Sequence, residues 1–260
     1  MKKLHFVFDK TDKSKNFKKF IKNKYKNYSA SKSSHIIIAG GDGFMLNCIK
    51  KYYKFQKPFY GINCGTYGFL MNNYDKKNLL SKITNSKKVI INPLNLMLKD
   101  KKKIKKGVIA INEISLFRQS RQTASLSLKI GKKYLIKKLI GDGVLVSTPA
   151  GSTAYNQSAY GPILSLNSGK LAVTPISPFR PRRWKGKIVS SKSKIKITNL
   201  DYSKRPVAAV ADNVELRNIK SILVRSDKKI KITLLYDKNR SLIKKIKKEQ
   251  SRAVNKWKNF

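Results

Sequence analysis

The sequence predicts an α/β N-terminal domain with a parallel sheet, followed by an all-β, sandwich-like C-terminal domain. Three observations carry that prediction. An apolar run, Ile36–Ala39, breaks into Gly40-Gly41-Asp42-Gly43 and passes into a helical pattern over Phe44–Phe55. A second run, Lys57–Asn63, ends in another glycine-bearing turn, Asn63-Cys64-Gly65-Thr66-Tyr67-Gly68. After Pro93 this alternation stops, and short β-rich segments separated by turn residues take over. The expected domains are residues 1–92 and 93–240.

Taken in order, Leu4–Phe8 reads as the first strand and Ser14–Tyr28 as a basic helical segment. Ile36–Ala39 is the second strand, apolar throughout as a strand buried on both faces should be. Lys57–Asn63 is the third, with Pro58 tolerated at its start, and Asp75–Ile83 reads as helical. Strands alternating with helices imply a parallel sheet, with ligand loops at the strand C-terminal ends. The later strands are Val108–Phe117, Ala124–Ile130, Tyr134–Lys138, Val144–Ser147, Lys194–Thr198, Val207–Val210, Ser221–Val224 and Lys231–Leu235. Gly131, Gly186 and Asn199 punctuate them, and Ser241–Trp257 is a basic helix candidate.

Composition removes several function classes. Lys and Arg number 59 against 13 Asp and Glu, a net charge of +46. The lysines run along the whole chain, in company with abundant Ile, Asn and Tyr. That is a general compositional bias, not a nucleic-acid footprint. No specific nucleic-acid partner is expected, only weak, salt-sensitive association with polyanions. Cys48 and Cys64 form no metal or redox spacing, and two histidines, His5 and His35, are too few for a His-based metal site. The apolar core of Leu4–Phe8 is too short for a signal peptide, and no run nears the ~20 residues that span a bilayer. A protein of the reducing cytoplasm, away from the membrane, is expected.

With acids so scarce, three in apolar or glycine-rich surroundings stand out. Asp42 lies in a strand-to-helix glycine turn of the kind that binds phosphate through backbone N–H groups and the helix N-terminus. A carboxylate is electrostatically awkward there, unless it takes a proton from a hydroxyl attacking phosphorus or holds a metal. Glu113 follows Asn112 within Val108–Leu116 and breaks its apolar pattern. A buried carboxylate needs a partner, and ribose diols or adenine amines would serve. Asp142 sits in Gly141-Asp142-Gly143, where it could equally stabilise its own turn. The densest segment, Ser147–Pro162, carries seven hydroxyl side chains among small residues directly after a strand. Small residues let a flat ligand approach the backbone, hydroxyls donate and accept, and Tyr155 could stack or bond at a base or ribose. Phe179-Arg180-Pro181-Arg182-Arg183-Trp184 is a compact basic-aromatic cluster, suited to a phosphate or subunit contact or to plain solvent exposure.

In this order, Gly40-Gly41-Asp42-Gly43, Asn63-x-Gly65-x-x-Gly68-Phe69-Leu70, Asn112-Glu113, Gly141-Asp142-Gly143 and Thr148-Pro149-Ala150-Gly151-Ser152-Thr153-Ala154-Tyr155 resemble the bacterial NAD kinase family. Gly161-Pro162-Ile163 and Thr174-Pro175-Ile176 extend the likeness, which runs from about residue 34 to about residue 240. Phe44 and the Phe179–Trp184 cluster look most like the alphaproteobacterial branch. The resemblance implies transfer of the ATP γ-phosphoryl group, or one from polyphosphate, to the 2′-hydroxyl of the adenosine ribose of NAD, giving NADP. It implies Mg²⁺ as the divalent metal and a homo-oligomer, and it assigns no metal-ligating residue. Asp42 would be the general base or hydroxyl-orienting acid, with Gly43 facing phosphate. Asn112, Glu113 and Asp142 would contact the dinucleotide; Ala150, Thr153, Ala154, Tyr155, Asn156, Gln157 and Ser158 would line its pocket. Residues 241–260 would return to the first domain. Two departures stand out. Phe44 replaces a Thr or Asn common in the family. Val214 stands where a Gln often reaches the ligand, which leaves open whether the Ala211–Glu215 loop touches it. The alternatives are a lipid or other small-molecule kinase sharing the glycine turn, and a non-catalytic nucleotide- or nucleic-acid-binding protein.

Overall fold

The computed structural model describes residues 2–66, 68–75, 77–99 and 104–238. They divide into two units, residues 2–90 with 232–238, and residues 91–231.

The first unit is built on a five-stranded sheet in the order Leu4–Phe8, His35–Gly40, Phe59–Asn63, Ile232–Tyr236, Lys87–Ile91. The first four strands run parallel. Ile36, Ile37, Ile38 and Ala39 are all fully buried, which is why the strand His35–Gly40 reads as one apolar run. Helix α1, Asp12–Lys22, is capped by Thr11, whose hydroxyl accepts from the Ser14 amide, and it buries Phe17 and Ile21 against the Ile37–Ala39 face. Helix α2, Asp42–Tyr52, starts directly from the strand His35–Gly40, with Gly41 as its N-cap, and buries Met45, Cys48 and Ile49. Helix α3 spans Leu79–Asn85. It starts four residues later than the sequence suggests, and α1 ends at Lys22 rather than Tyr28.

The second unit is a pair of six-stranded antiparallel sheets. One has the order 187–190, 170–176, 143–147, 113–118, 207–211, 214–216; the other 104–110, 94–99, 221–226, 195–199, 124–130, 133–141. Alternate residues from both sheets fill one core, among them Ile114, Leu116, Val144, Val146, Val207 and Ala209 from the first, with Leu94, Leu96, Leu126, Leu128, Ile195 and Val224 from the second. That period of two is the packing rule of a sandwich.

Two expectations change. Val108–Phe117 is not one strand: Ile104–Ala110 belongs to one sheet and Glu113–Arg118 to the other, so Ile111-Asn112 is the crossover between them. The polar pair breaks the apolar pattern because the chain changes sheets there. Ile232–Tyr236, expected as a strand, pairs in parallel with Phe59–Asn63 in the first sheet rather than in the β-rich part. The helix expected at Ser241–Trp257 and the return of residues 241–260 lie outside the described residues.

Candidate active site

In the first unit the functional geometry centres on the start of α2. Gly41 is extended, Asp42 is the first helical residue, and a Cβ added at Gly41 or Gly43 would meet nothing within 4 Å among the described residues. The turn is open at both glycines, and it stands at a helix N-terminus, which favours an anion. The Asp42 carboxylate is fixed: Oδ2 accepts from the Phe69 amide at 2.7 Å and Oδ1 from the Leu70 amide at 3.0 Å. The two glycine-bearing turns are thus tied to each other through this acid.

The loop supplying those amides is itself anchored. Asn72 is 1% exposed; its amide nitrogen donates to Leu235 O at 2.9 Å and its oxygen accepts from the Asp237 amide at 3.0 Å. The Tyr60 hydroxyl donates to Asp237 Oδ1 at 2.7 Å. Burial first, then that bond to Asp237, pushes the Tyr60 hydroxyl far above its ordinary range. The returning strand thereby fixes the loop that fixes Asp42.

In the second unit the sheet crossover carries the other acids. Asp212 Oδ2 accepts from the Ile111 amide at 2.8 Å, and its Oδ1 accepts from the Asn112 amide at 2.9 Å and the Glu113 amide at 3.3 Å. Thr148 approaches from the other side. Its hydroxyl donates to Ile111 O at 2.7 Å and its amide to Asn112 O at 2.9 Å. Gly151 lies so close that an added Cβ would sit 2.3 Å from Asn112 O, which excludes any side chain. The crossover backbone is clamped from both sides. In contrast, Asn112 Oδ1 and Glu113 Oε2 are buried without a hydrogen-bond partner among the described residues. Burial first, and then the neighbouring Asp212 charge, pushes the Glu113 carboxyl up to about 8.

Asp142 lies at the far end of the same strand pair. Its carboxylate accepts from Arg118 Nε at 2.5 Å, and its backbone oxygen from the Arg118 amide at 2.9 Å. Both side chains are about one-third exposed. Asp142 is therefore held by an ion pair to the neighbouring strand and not merely by its own turn. The Tyr155 ring stacks on Phe117, centroids 5.6 Å apart. Its hydroxyl is raised by burial first, then by the charges of Asp142 and Glu113. Tyr155 is thus within electrostatic reach of both Asp142 and Glu113.

The Ser147–Pro162 segment folds into a short 3-10 turn, Gly151–Thr153, and a single helical turn, Tyr155–Ser158. Its residues divide in two. Asn156 is fully buried: its amide nitrogen donates to Pro162 O at 2.9 Å and to Ser152 O, and its oxygen accepts from the Thr174 hydroxyl at 2.7 Å. Its role is to hold the loop on the sheet. Ser152 does the same, donating to Pro149 O at 2.8 Å and accepting from the Leu164 amide at 3.0 Å. Ala150 and Thr153 are buried; Ala154 and Gln157 are half-buried; Tyr155 and Ser158 are exposed. Tyr155, Gln157 and Ser158 are the residues this turn presents outward.

Sequence reasoning missed three residues here: Asp212, Arg118 and Asn72. Each acts on a partner about 24 to 165 residues away, so no local spacing marks it. The one available signal was scarcity, since Asp212 is among only 13 acids. The thiols of Cys48 and Cys64 are buried and pushed up to about 12 and about 11, which leaves them unreactive. Among the described residues no group of three or more His, Cys, Asp or Glu could hold a metal ion, and no helix is long and apolar enough to cross a membrane.

Residues 111–221 match the family of the ATP-NAD kinase C-terminal domain. The NAD kinase of Brucella suis biovar 1 is 42% identical over 249 residues, covering 96% of this chain and 97% of that protein. The NAD kinase of Rickettsia bellii is 42% identical over 250 residues, 96% of this chain and 98% of its own length. Among solved structures, an NAD kinase from Archaeoglobus fulgidus in complex with ATP has a TM-score of 0.72 at 20% identity, covering 91% of this chain and 94% of that one, a likeness of fold. Yeast NADH kinase complexed with NADH has a TM-score of 0.71 at 26% identity; the match covers 83% of this chain and 65% of the yeast chain.

Proposed function

The chain belongs to the NAD kinase family, and from that membership we propose how its residues divide the work of phosphorylating NAD. It is an NAD kinase, a phosphotransferase that moves the γ-phosphoryl group of ATP to the 2′-hydroxyl of the adenosine ribose of NAD and so makes NADP. Phosphoryl transfer asks little covalent chemistry of a protein; it asks for positioning and for charge placed where it is needed.

In this reading Asp42 accepts or orients the 2′-hydroxyl proton. The Phe69 and Leu70 amides hold its carboxylate in one orientation, so little reorganisation is needed as the proton moves. The open face beside Gly41 and Gly43 takes phosphate oxygens against the N-terminus of α2. Asn112, Glu113, Asp142 and Tyr155 hold the dinucleotide, with Gln157 and Ser158 at the rim of the loop.

The observation that carries the dinucleotide assignment is the pair of buried acceptors, Asn112 Oδ1 and Glu113 Oε2, which have no donor among the described residues. A buried acceptor without a donor is costly, and ribose hydroxyls or an adenine amine are donors of the right kind. The described residues offer no cage for a resident divalent ion. Mg²⁺ is assigned to the substrate, entering as the metal salt of ATP with phosphate oxygens and water as its ligands. A homo-oligomer in the cytoplasm completes the proposal.

The test is direct. Purified protein is incubated with NAD, ATP and Mg²⁺, and NADP is read with a dehydrogenase specific for it; parallel arms replace ATP by polyphosphate and NAD by NADH. NADP formed with ATP is the expected result. ATP consumed without NADP, or no nucleotide turnover, would contradict the reading.

A further inference from the structure

We propose that Asp212 is a positioning residue for dinucleotide binding. Its carboxylate holds the backbone of Ile111–Glu113 in the one conformation that keeps Asn112 and Glu113 set for ligand donors. The inference rests on the reading that this crossover takes the dinucleotide.

Three backbone amides in a row, Ile111, Asn112 and Glu113, converge on one carboxylate at 2.8, 2.9 and 3.3 Å. Consecutive amides of this kind form a concavity that attracts an anion. Here the chain supplies its own anion. The Asp212 amide returns a bond to Glu113 O at 3.1 Å, so the two segments clasp each other in both directions. Asp212 itself adopts φ +51°, a left-handed conformation that Asp tolerates better than most residues. It stands at the tight turn between the strands Val207–Ala211 and Val214–Leu216.

Position 214 carries Val, so the loop offers no side-chain amide there. The loop acts one step back instead, through Asp212 and the backbone of the ligand-contacting pair. The opposite side of the crossover is held by Thr148 and by the close approach of Gly151. Backbone polar groups at the crossover are thus spent on fixing its shape, while the two side-chain oxygens remain unpartnered. Preorganisation of that kind is expected to appear in binding of the dinucleotide and not in binding of ATP. Asp212 touches no reacting atom in this account, and its effect passes through Asn112 and Glu113.

The experiment compares Asp212→Asn with wild type in steady state. The Asn side chain replaces one acceptor oxygen by a donor facing amide donors, so the clasp is lost. The expected result is an NAD KM raised about 10- to 100-fold, with ATP KM unchanged. In a Glu113→Ala background the same substitution should raise the NAD KM far less, since the two act through one corner. A general loss of folding would instead lower kcat through the active fraction and leave both KM values alone. Should Asp212→Asn fail to fold, Asp212→Glu, which keeps the charge but displaces it, should show the same split. Amide hydrogen exchange in the wild-type protein needs no variant: the amides of residues 111–113 should exchange as slowly as core strands. A wild-type NAD KM in a folded Asp212 variant, or rapid exchange at those amides, would overturn the proposal. Absence of NADP formation by the wild type would instead contradict the kinase reading on which it rests.

Discussion

Glu113 makes the sharpest statement at the scale of single residues. Its carboxyl is pushed up to about 8 by burial and by Asp212. The folded protein therefore holds a proton that the unfolded chain releases near pH 4.5. Between those values the folded state binds more protons, so this group's contribution to stability is fullest below about pH 4.5 and falls as pH rises toward 8. Glu113→Gln should flatten that part of the stability profile, measured by urea midpoints at several pH values. Binding runs the other way. If ribose hydroxyls donate to Glu113 as proposed, they do so to its ionised form, so NAD KM should fall by up to about tenfold per pH unit as pH rises toward 8, and should lose this slope in Glu113→Gln. A second prediction concerns Gly151. A methyl group there would meet the Asn112 backbone at 2.3–2.5 Å, so Gly151→Ala should cost about 1–3 kcal/mol and weaken NAD binding, readable by denaturation and by NAD KM. Asp42 and Glu113 were legible as residues, because in a lysine-rich chain a carboxylate among glycines or apolar neighbours calls for a reason. Their partners were not legible, because Phe69 and Asp212 lie 27 and 99 residues away.

Among elements, the strand–turn–helix at His35–Tyr52 was readable from pattern alone, since a fully buried strand and a glycine start to a helix both leave local marks. The crossover at Ile111-Asn112 was not. Both flanking strands are apolar, and no turn residue separates them except the Asn itself. Nor could the pairing of Ile232–Tyr236 be read. A buried parallel strand and a sandwich strand share one composition, and only the parallel partner Phe59–Asn63 distinguishes them. That returning strand has a consequence. Asn72 joins the Leu235–Asp237 backbone to the loop whose amides hold Asp42. Asn72→Ala would orphan Leu235 O and the Asp237 amide, at about 1–3 kcal/mol for each group. A lower urea midpoint with unchanged slope is the expected result; an unchanged midpoint would show that the anchor is dispensable.

For the molecule as a whole, the change of texture after Pro93 was enough to foresee a parallel α/β unit and a β-sandwich, because the two architectures impose different periods on apolar residues. The +46 charge was equally plain, and it bears on rate rather than on fold. Both substrates are anions, so kcat/KM should fall several-fold as salt rises from about 50 to about 500 mM, while kcat changes little. A salt-independent kcat/KM would mean that the basic surface does not steer nucleotides. The central claim, however, is that one acid, held by two loop amides, handles the proton of the sugar hydroxyl. Single-turnover NADP formation by Asp42→Asn, with NAD and Mg·ATP saturating and the fold verified, tests it most directly. The variant removes the proton acceptor and also turns one of the two amide-held oxygens into a donor, so the rate should drop by about 10²- to 10⁴-fold. A rate within about threefold of wild type would contradict the account.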